Sequence, residues 1–139
     1  MQRVIITGGS GFIGAPLARQ LAAKYDVVVL SRNPARVSDL GPGVQVVAWD
    51  GRSAQGWGQL ADGAWAIINL AGENLSAGRW TAARKTAISE SRQQAAQAVI
   101  EAISQAAVKP KVLVQASAVG YYGPRGDEKI NENEKAGST

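Results

Sequence analysis

The apolar positions of this chain fall into short continuous runs that alternate with amphipathic stretches. Val4, Ile5 and Ile6 form one such run within residues 1–7, stopped by a glycine cluster, and it reads as a buried strand. Residues 12–24 follow with Ile13, Leu17 and Leu21 at every fourth position, the spacing of a helix with one apolar face. Pro16 falls slightly late in that helix for a residue tolerated chiefly in the first turn. Valine-rich 26–30 predicts a second strand, 44–49 a third, 64–70 a fourth and 112–116 a fifth. Residues 33–40 suit a short helix closed by Gly41, Pro42 and Gly43, and glycine-rich 53–62 holds room for one more. A long helix is predicted over 81–107, with Ile88, Ala95, Val99, Ile103 and Ala106 as its apolar stripe. Residues 120–139 show no periodicity and read as loop.

Strands that alternate with helices predict an α/β fold, a Rossmann-type doubly wound parallel sheet with crossover helices on both faces. About five strands are present. A doubly wound sheet of six or seven strands needs more chain, so C-terminal strands and a substrate region are expected to be missing. The expected organisation is one nucleotide-binding domain over 1–139, with its core in 1–117 and a loop over 118–139 leading toward that missing part.

Composition narrows the chemistry. The chain has no cysteine and no histidine, which excludes a disulfide framework, Cys/His zinc sites and catalysis by a His base or Cys nucleophile within it. No metal site is expected. No stretch approaches the roughly 18 apolar residues of a membrane span, and the N-terminus reads directly as a strand, so the expectation is a cytoplasmic protein without a membrane partner. The net charge of +4 raises the question of nucleic acid. Arg and Lys are scattered, however, with only a loose concentration at Arg79, Arg84, Lys85 and Arg92 and no aromatic-interleaved basic strip. No nucleic-acid partner is expected: a phosphate-rich cofactor accounts for some of this charge, and an acidic remainder outside the chain would account for the rest.

The candidate chemistry begins at Thr7, Gly8, Gly11, Phe12, Ile13 and Gly14, a TGxxGxxG loop placed after a strand and opening a helix. Gly8 permits the tight turn, Gly11 lets the backbone approach a diphosphate, and Gly14 lets the helix pack closely on the strand. The helix N-terminus then offers N–H groups and a positive dipole to the anion. A bland alternative is an ordinary glycine-rich turn. At the end of the second strand, where an NAD site carries an acid for the ribose 2′-hydroxyl, the chain reads Leu30, Ser31, Arg32, Asn33. Arg32 can pair with a 2′-phosphate, Ser31 can add a hydrogen bond, and Arg36 is a second candidate cation. NADP(H) is therefore expected over NAD(H). A solvated loop charge is the alternative for Arg32.

These residues resemble the extended and atypical short-chain dehydrogenase/reductases, and more narrowly the nucleoside-diphosphate-sugar epimerase-like (NAD-dependent epimerase/dehydratase) family. The most specific stretches are Asn69, Leu70, Ala71, Gly72, Glu73, Asn74 and Leu75, then Arg79, Trp80, Lys85, Ser91 and Arg92, and finally the run from Ser117 to Gly123. The resemblance covers the chain as the N-terminal part of such a protein, with Glu132 onward similar to the loop entering the next helix. It implies that Asp50 meets the adenine amino group and that Leu70, Ala71 and Gly72 run beside the cofactor ribose. It implies substrate contacts at Glu73, Asn74, Arg79 and Tyr122, although Glu73 and Asn74 equally suit capping and a turn. It assigns Ser117 to the reacting hydroxyl or carbonyl, with Ala118 as the alternative register.

One departure is large. The superfamily's base is a Tyr-x-x-x-Lys pair, in which the lysine lowers the tyrosine pKa. Here Tyr121 is followed at that spacing by Arg125 and Tyr122 by Gly126. Three functions remain open. The first is an NADP-dependent oxidoreductase or epimerase exchanging hydride with a hydroxyl or carbonyl substrate, nucleotide-sugar-like in one version. The second is a non-catalytic NADPH-binding sensor, and the third a partner-binding protein with a vestigial loop. A fragment lacking the remainder is expected to be inactive. Helix-pair homodimers are common in the wider superfamily, so a homodimer is one expectation.

Overall fold

The computed structural model describes residues 1–72, 78–117 and 119–137. Five strands form one parallel sheet: β1 (Arg3–Thr7), β2 (Asp26–Ser31), β3 (Val44–Ala48), β4 (Ala66–Asn69) and β5 (Val112–Gln115). Their order is β3-β2-β1-β4-β5, so β1 lies in the middle with the chain leaving it to one side and returning to the other. Val4 pairs with Val27 on one flank and with Ala66 on the other. The apolar runs that predicted strands are the strands, trimmed by a residue or two at their ends, except that β2 runs one residue further, to Ser31.

Both faces of β1 and β2 are buried. Ile5, Val28, Leu30 and Ile67 point to one layer, where Trp49, Trp57, Ala95, Ala98, Val99 and Ala102 complete a core. Val4, Ile6, Val27 and Val29 point to the other, against Ala18 and Leu40. Alternate residues therefore feed opposite layers, as the period of a strand requires. This is the doubly wound Rossmann-like α/β fold expected from the sequence. Among the described residues, no helix is long and apolar enough to cross a membrane.

Three elements differ from expectation for identifiable reasons. Helix α1 spans Gly14–Leu21 rather than 12–24, with Ile13 as its cap residue. That later start puts Pro16 within the first turn, where the missing N–H costs no helix bond. Its buried positions are Gly14 and Ala18, with Leu17 and Leu21 flanking them and Ile13 left exposed. Small residues at the seat let the helix axis approach the sheet, so the contact stripe is rotated from the one that size alone suggests. Residues 33–40 form no α-helix. They hold only a 3₁₀ turn over Pro34–Arg36, where Pro34 opens the turn and Val37 is already extended.

Helix α2 spans Ala82–Gln105, and the Thr81 side chain caps it by accepting from the Arg84 N–H at 3.1 Å. Its buried stripe is Ala95, Ala98, Val99 and Ala102. Ile88 and Ile103, predicted to be central, are only partly buried. The alanines make room for Trp57, which belongs to the glycine-rich stretch before the 3₁₀ turn Gly58–Ala61 and is fully buried. Its ring meets Trp49 edge to face at 6.0 Å, and its indole N–H donates to the Ser53 carbonyl at 2.9 Å.

Candidate functional site

A cleft of about 420 Å³ opens beyond the carboxyl ends of β1, β2, β3 and β4. This is where a sheet whose connections diverge to opposite sides leaves a crevice. Gly8 and Gly11 line it from the loop after β1, Ser31 and Arg32 from the end of β2, Asp50 from the end of β3, and Leu70, Ala71 and Gly72 from the end of β4. Eight of the residues singled out from the sequence for cofactor binding are thus brought to one cavity.

The glycine loop is built by close backbone approach. Gly8 has φ +68, and a Cβ there would lie 2.9 Å from the Leu70 carbonyl carbon and oxygen. A Cβ on Gly14 would lie 2.2 Å from the Gly8 carbonyl oxygen, so the first turn of α1 can seat only on glycine. The Gly11 N–H donates to that same oxygen at 3.1 Å. Among the described residues, none accepts a hydrogen bond from the N–H of Phe12 or Ile13. Two amides at a helix start, beside a cradle that any Cβ would fill, suit a diphosphate. The side chains of Phe12 and Ile13 do not line the cleft and are exposed, so any role of theirs in holding phosphate falls to the backbone.

Thr7 does not line the cleft either. It is fully buried, and its hydroxyl bonds Asn69 Oδ1 while accepting from the Leu70 and Ala71 N–H groups, each at 3.1 Å. Asn69 in turn donates from Nδ2 to Gln115 Oε1 at 2.8 Å. A polar rung therefore ties the ends of β1, β4 and β5 together. Thr7 acts on the site by holding Leu70 and Ala71 against Gly8.

At the end of β2, Ser31 Oγ accepts from the Asn33 N–H at 3.1 Å and fixes the turn from which Arg32 projects. The stem of Arg32 runs over Gly51, whose missing Cβ would stand 3.4 Å from Arg32 Cδ. Arg36 joins it on the cleft wall from the 3₁₀ turn. No acidic side chain follows β2 there; Asp50, across the cleft, is the acid on its lining. Asp50 is held below the ordinary carboxylate range, first by the Ser53 hydroxyl and then by the Arg52 N–H. Its Oδ1 accepts from the N–H groups of Arg52 and Ser53 at 2.8 and 2.7 Å, and its Oδ2 from Ser53 Oγ at 2.6 Å.

The residues assigned to chemistry are not gathered in the same way. Ser117 follows β5, is exposed, and does not line the cleft. Tyr122 lies in a 3₁₀ turn over Val119–Tyr122, stacked edge to face on Tyr121 at 5.0 Å, and also stands outside the lining. Arg125, at the position where a lysine would serve a tyrosine base, pairs with Glu128 at 3.2 Å and Glu134 at 3.7 Å. Arg79 is exposed ahead of α2. Glu73, Asn74 and Ala118 lie outside the described residues. Among the described residues, no group of His, Cys, Asp and Glu could hold a metal ion.

Several lining residues were not assigned to binding from the sequence: Leu30, Trp49, Ser91, Gln94 and Ala95. Leu30, Trp49 and Ala95 looked like core, which they also are. Ser91 and Gln94 sit one helical turn apart on α2, and nothing in the local sequence showed which face of that polar surface meets the sheet edge.

The family model for the NAD dependent epimerase/dehydratase family matches residues 4–139. The chain belongs to that family. An epimerase family protein of Staphylococcus haemolyticus is 36% identical over 125 residues, covering 89% of this chain and 40% of that protein. The crystal structure of human epimerase family protein SDR39U1 (isoform 2) with NADPH is similar at a TM-score of 0.76 and 31% identity. It covers 99% of this chain and 44% of that one. UDP-glucose 4-epimerase from Bifidobacterium longum, solved with NAD⁺ and UDP, shares the fold at a TM-score of 0.77 and 20% identity, covering 99% of this chain and 43% of that one. The chain thus spans about two fifths of the length of the curated relatives it matches. Membership makes it a nucleotide-cofactor-binding, epimerase-like chain.

Proposed function

We propose that this chain holds the dinucleotide of an NADP(H)-dependent epimerase or oxidoreductase acting on a hydroxyl or carbonyl substrate. The observation that carries the cofactor choice is the pair Arg32 and Arg36 on the cleft wall, with no acid at the end of β2. A guanidinium there offers a planar fork to a 2′-phosphate, whereas an NAD site would offer a carboxylate to a 2′-hydroxyl. The NADPH in the human relative supports the same choice. The glycine cradle with Phe12 and Ile13 N–H groups would take the diphosphate, Asp50 the adenine end, and Leu70 to Gly72 the ribose of the nicotinamide. The bound cofactor would supply hydride exchange. Ser117 and Tyr122 would then orient the substrate from the carboxyl edge of β5, in company with Glu73, Asn74 and Arg79.

The test is direct titration of the chain with NADPH and NADH. Hydrogen bonds between charged groups contribute about 1.5–3 kcal/mol each, so Arg32→Ala should weaken NADPH roughly tenfold to a hundredfold and leave NADH unchanged. Equal binding of the two cofactors by the parent chain, or an equal loss of both in the variant, would overturn the assignment to NADP(H).

A second reading has its own support. Arg125 is paired with two carboxylates, and neither Ser117 nor Tyr122 lines the cleft. A non-catalytic NADPH-binding sensor would look like this. Tight NADPH binding by a longer form, with no hydride transfer to any hydroxyl or carbonyl substrate, would favour it.

A further inference from the structure

The base end of the cleft has an apolar wall and two polar groups that differ in what they have left to offer. The wall is Leu30, Trp49 and Ala95, from β2, the end of β3 and α2, which are 2%, 8% and 1% exposed. Trp49 is braced by Trp57, itself anchored to the Ser53 carbonyl, so this wall is fixed by the core behind it. It suits a flat heterocycle. The first polar group, Asp50, accepts three hydrogen bonds from its own turn. A carboxylate has about four acceptor sites, so Asp50 retains little capacity, and as an ionised acid it can only accept.

The second polar group is Gln94, one position before Ala95 on α2. It is exposed, it lines the cleft, and its amide makes no hydrogen bond among the described residues. A carboxamide carries a donor and an acceptor side by side. Adenine presents a complementary pair, the 6-amino group beside the N7 acceptor, which a glutamine amide can meet with two bonds.

We propose that Gln94 is a specificity-determining residue that reads the polar edge of the purine, with Leu30, Trp49 and Ala95 as the wall against which the ring lies. The inference rests on the dinucleotide reading above and extends it from the phosphates to the base. Asp50 then shapes the turn that forms the far side of the slot and adds at most one bond to the 6-amino group. Replacing that amino group by an oxo group, as in hypoxanthine, puts an acceptor opposite the Gln94 amide oxygen and the Asp50 carboxylate.

The experiment compares NADPH with its hypoxanthine counterpart, titrated against the parent chain and against Gln94→Leu, which keeps the side-chain volume. Circular dichroism on each variant checks the fold. The parent should prefer NADPH about tenfold, in line with a two-bond amide contact. Gln94→Leu should weaken NADPH to within about twofold of the hypoxanthine form and leave that form nearly unchanged. An equal loss of both ligands, or no loss of either, would overturn the role of Gln94 while leaving NADPH binding intact. No binding of NADPH by the folded parent chain would instead overturn the dinucleotide reading, and this inference with it.

Discussion

At the scale of single residues the site is governed by what is absent as much as by what is present. Gly14 is the clearest case, because a methyl there would collide with the Gly8 carbonyl oxygen at 2.2 Å and neither backbone can yield. Overpacking of this kind costs about 1–3 kcal/mol or more. Gly14→Ala should therefore lower the unfolding free energy measured in urea by that amount and, by displacing the loop, reduce NADPH affinity as well. A variant that keeps both would show that α1 does not need its close seat. Asp50 makes a prediction about pH. Its pKa is depressed below the ordinary 3.8, chiefly by the Ser53 hydroxyl. The turn's support is then complete above that ordinary value and is lost as pH falls through the lower, folded one. Ser53→Ala should move the Asp50 titration midpoint upward, read from the carboxyl carbon shift in NMR. An unmoved midpoint would assign the shift to the backbone amides instead.

At the scale of elements, the energetic weight of the site's far wall lies in the packing of α2 on the segment between β3 and β4. Trp57 is fully buried among Ala95, Ala98 and Ala102. Trp57→Ala should cost about 3–5 kcal/mol, and its urea transition should show the loss without a change in the chain's strand pattern. A cost below 1 kcal/mol would mean that the alanine stripe collapses onto the space. This region also shows where the sequence was hard to read. The strands were legible because apolar runs of Val and Ile suit buried strands at that length, and α2 was legible from its periodicity. Trp57 was not, since a tryptophan in a glycine-rich stretch carries no period to announce its burial. The glycine loop and Arg32 were legible because backbone freedom and charge act locally. Gln94 was not, because its importance comes from the rotation of α2 about its axis, which the alanines set through tertiary contact. The helix expected over 33–40 failed for the opposite reason: local composition permitted it, and the turn at Pro34–Arg36 is all that the crossing to β3 uses.

At the scale of the whole molecule, the site is a product of topology. The loop after β1 and the loop after β4 face each other only because these strands are neighbours, although Val4 and Ala66 are far apart in sequence. The rung from Thr7 through Asn69 to Gln115 then locks the ends of the three strands into one level. This arrangement has a consequence for the order in which the protein is made. β1 leaves the ribosome before β2 and β4, yet one of its two partners does not exist until residues 66–69 have been synthesised. Until then the chain can pair β1 only with β2, and β2 with β3. One edge of its central strand stays open, and the layer destined for α2 has no cover. Closing that long loop is the slow, entropically costly event. Nascent chains arrested before β4 emerges should be cut readily by protease within β1. Chains arrested after α2 has cleared the exit tunnel should resist. If protection of β1 appears already with β2 and β3 alone, the three-stranded half folds by itself and the nucleotide cleft is assembled onto a finished scaffold.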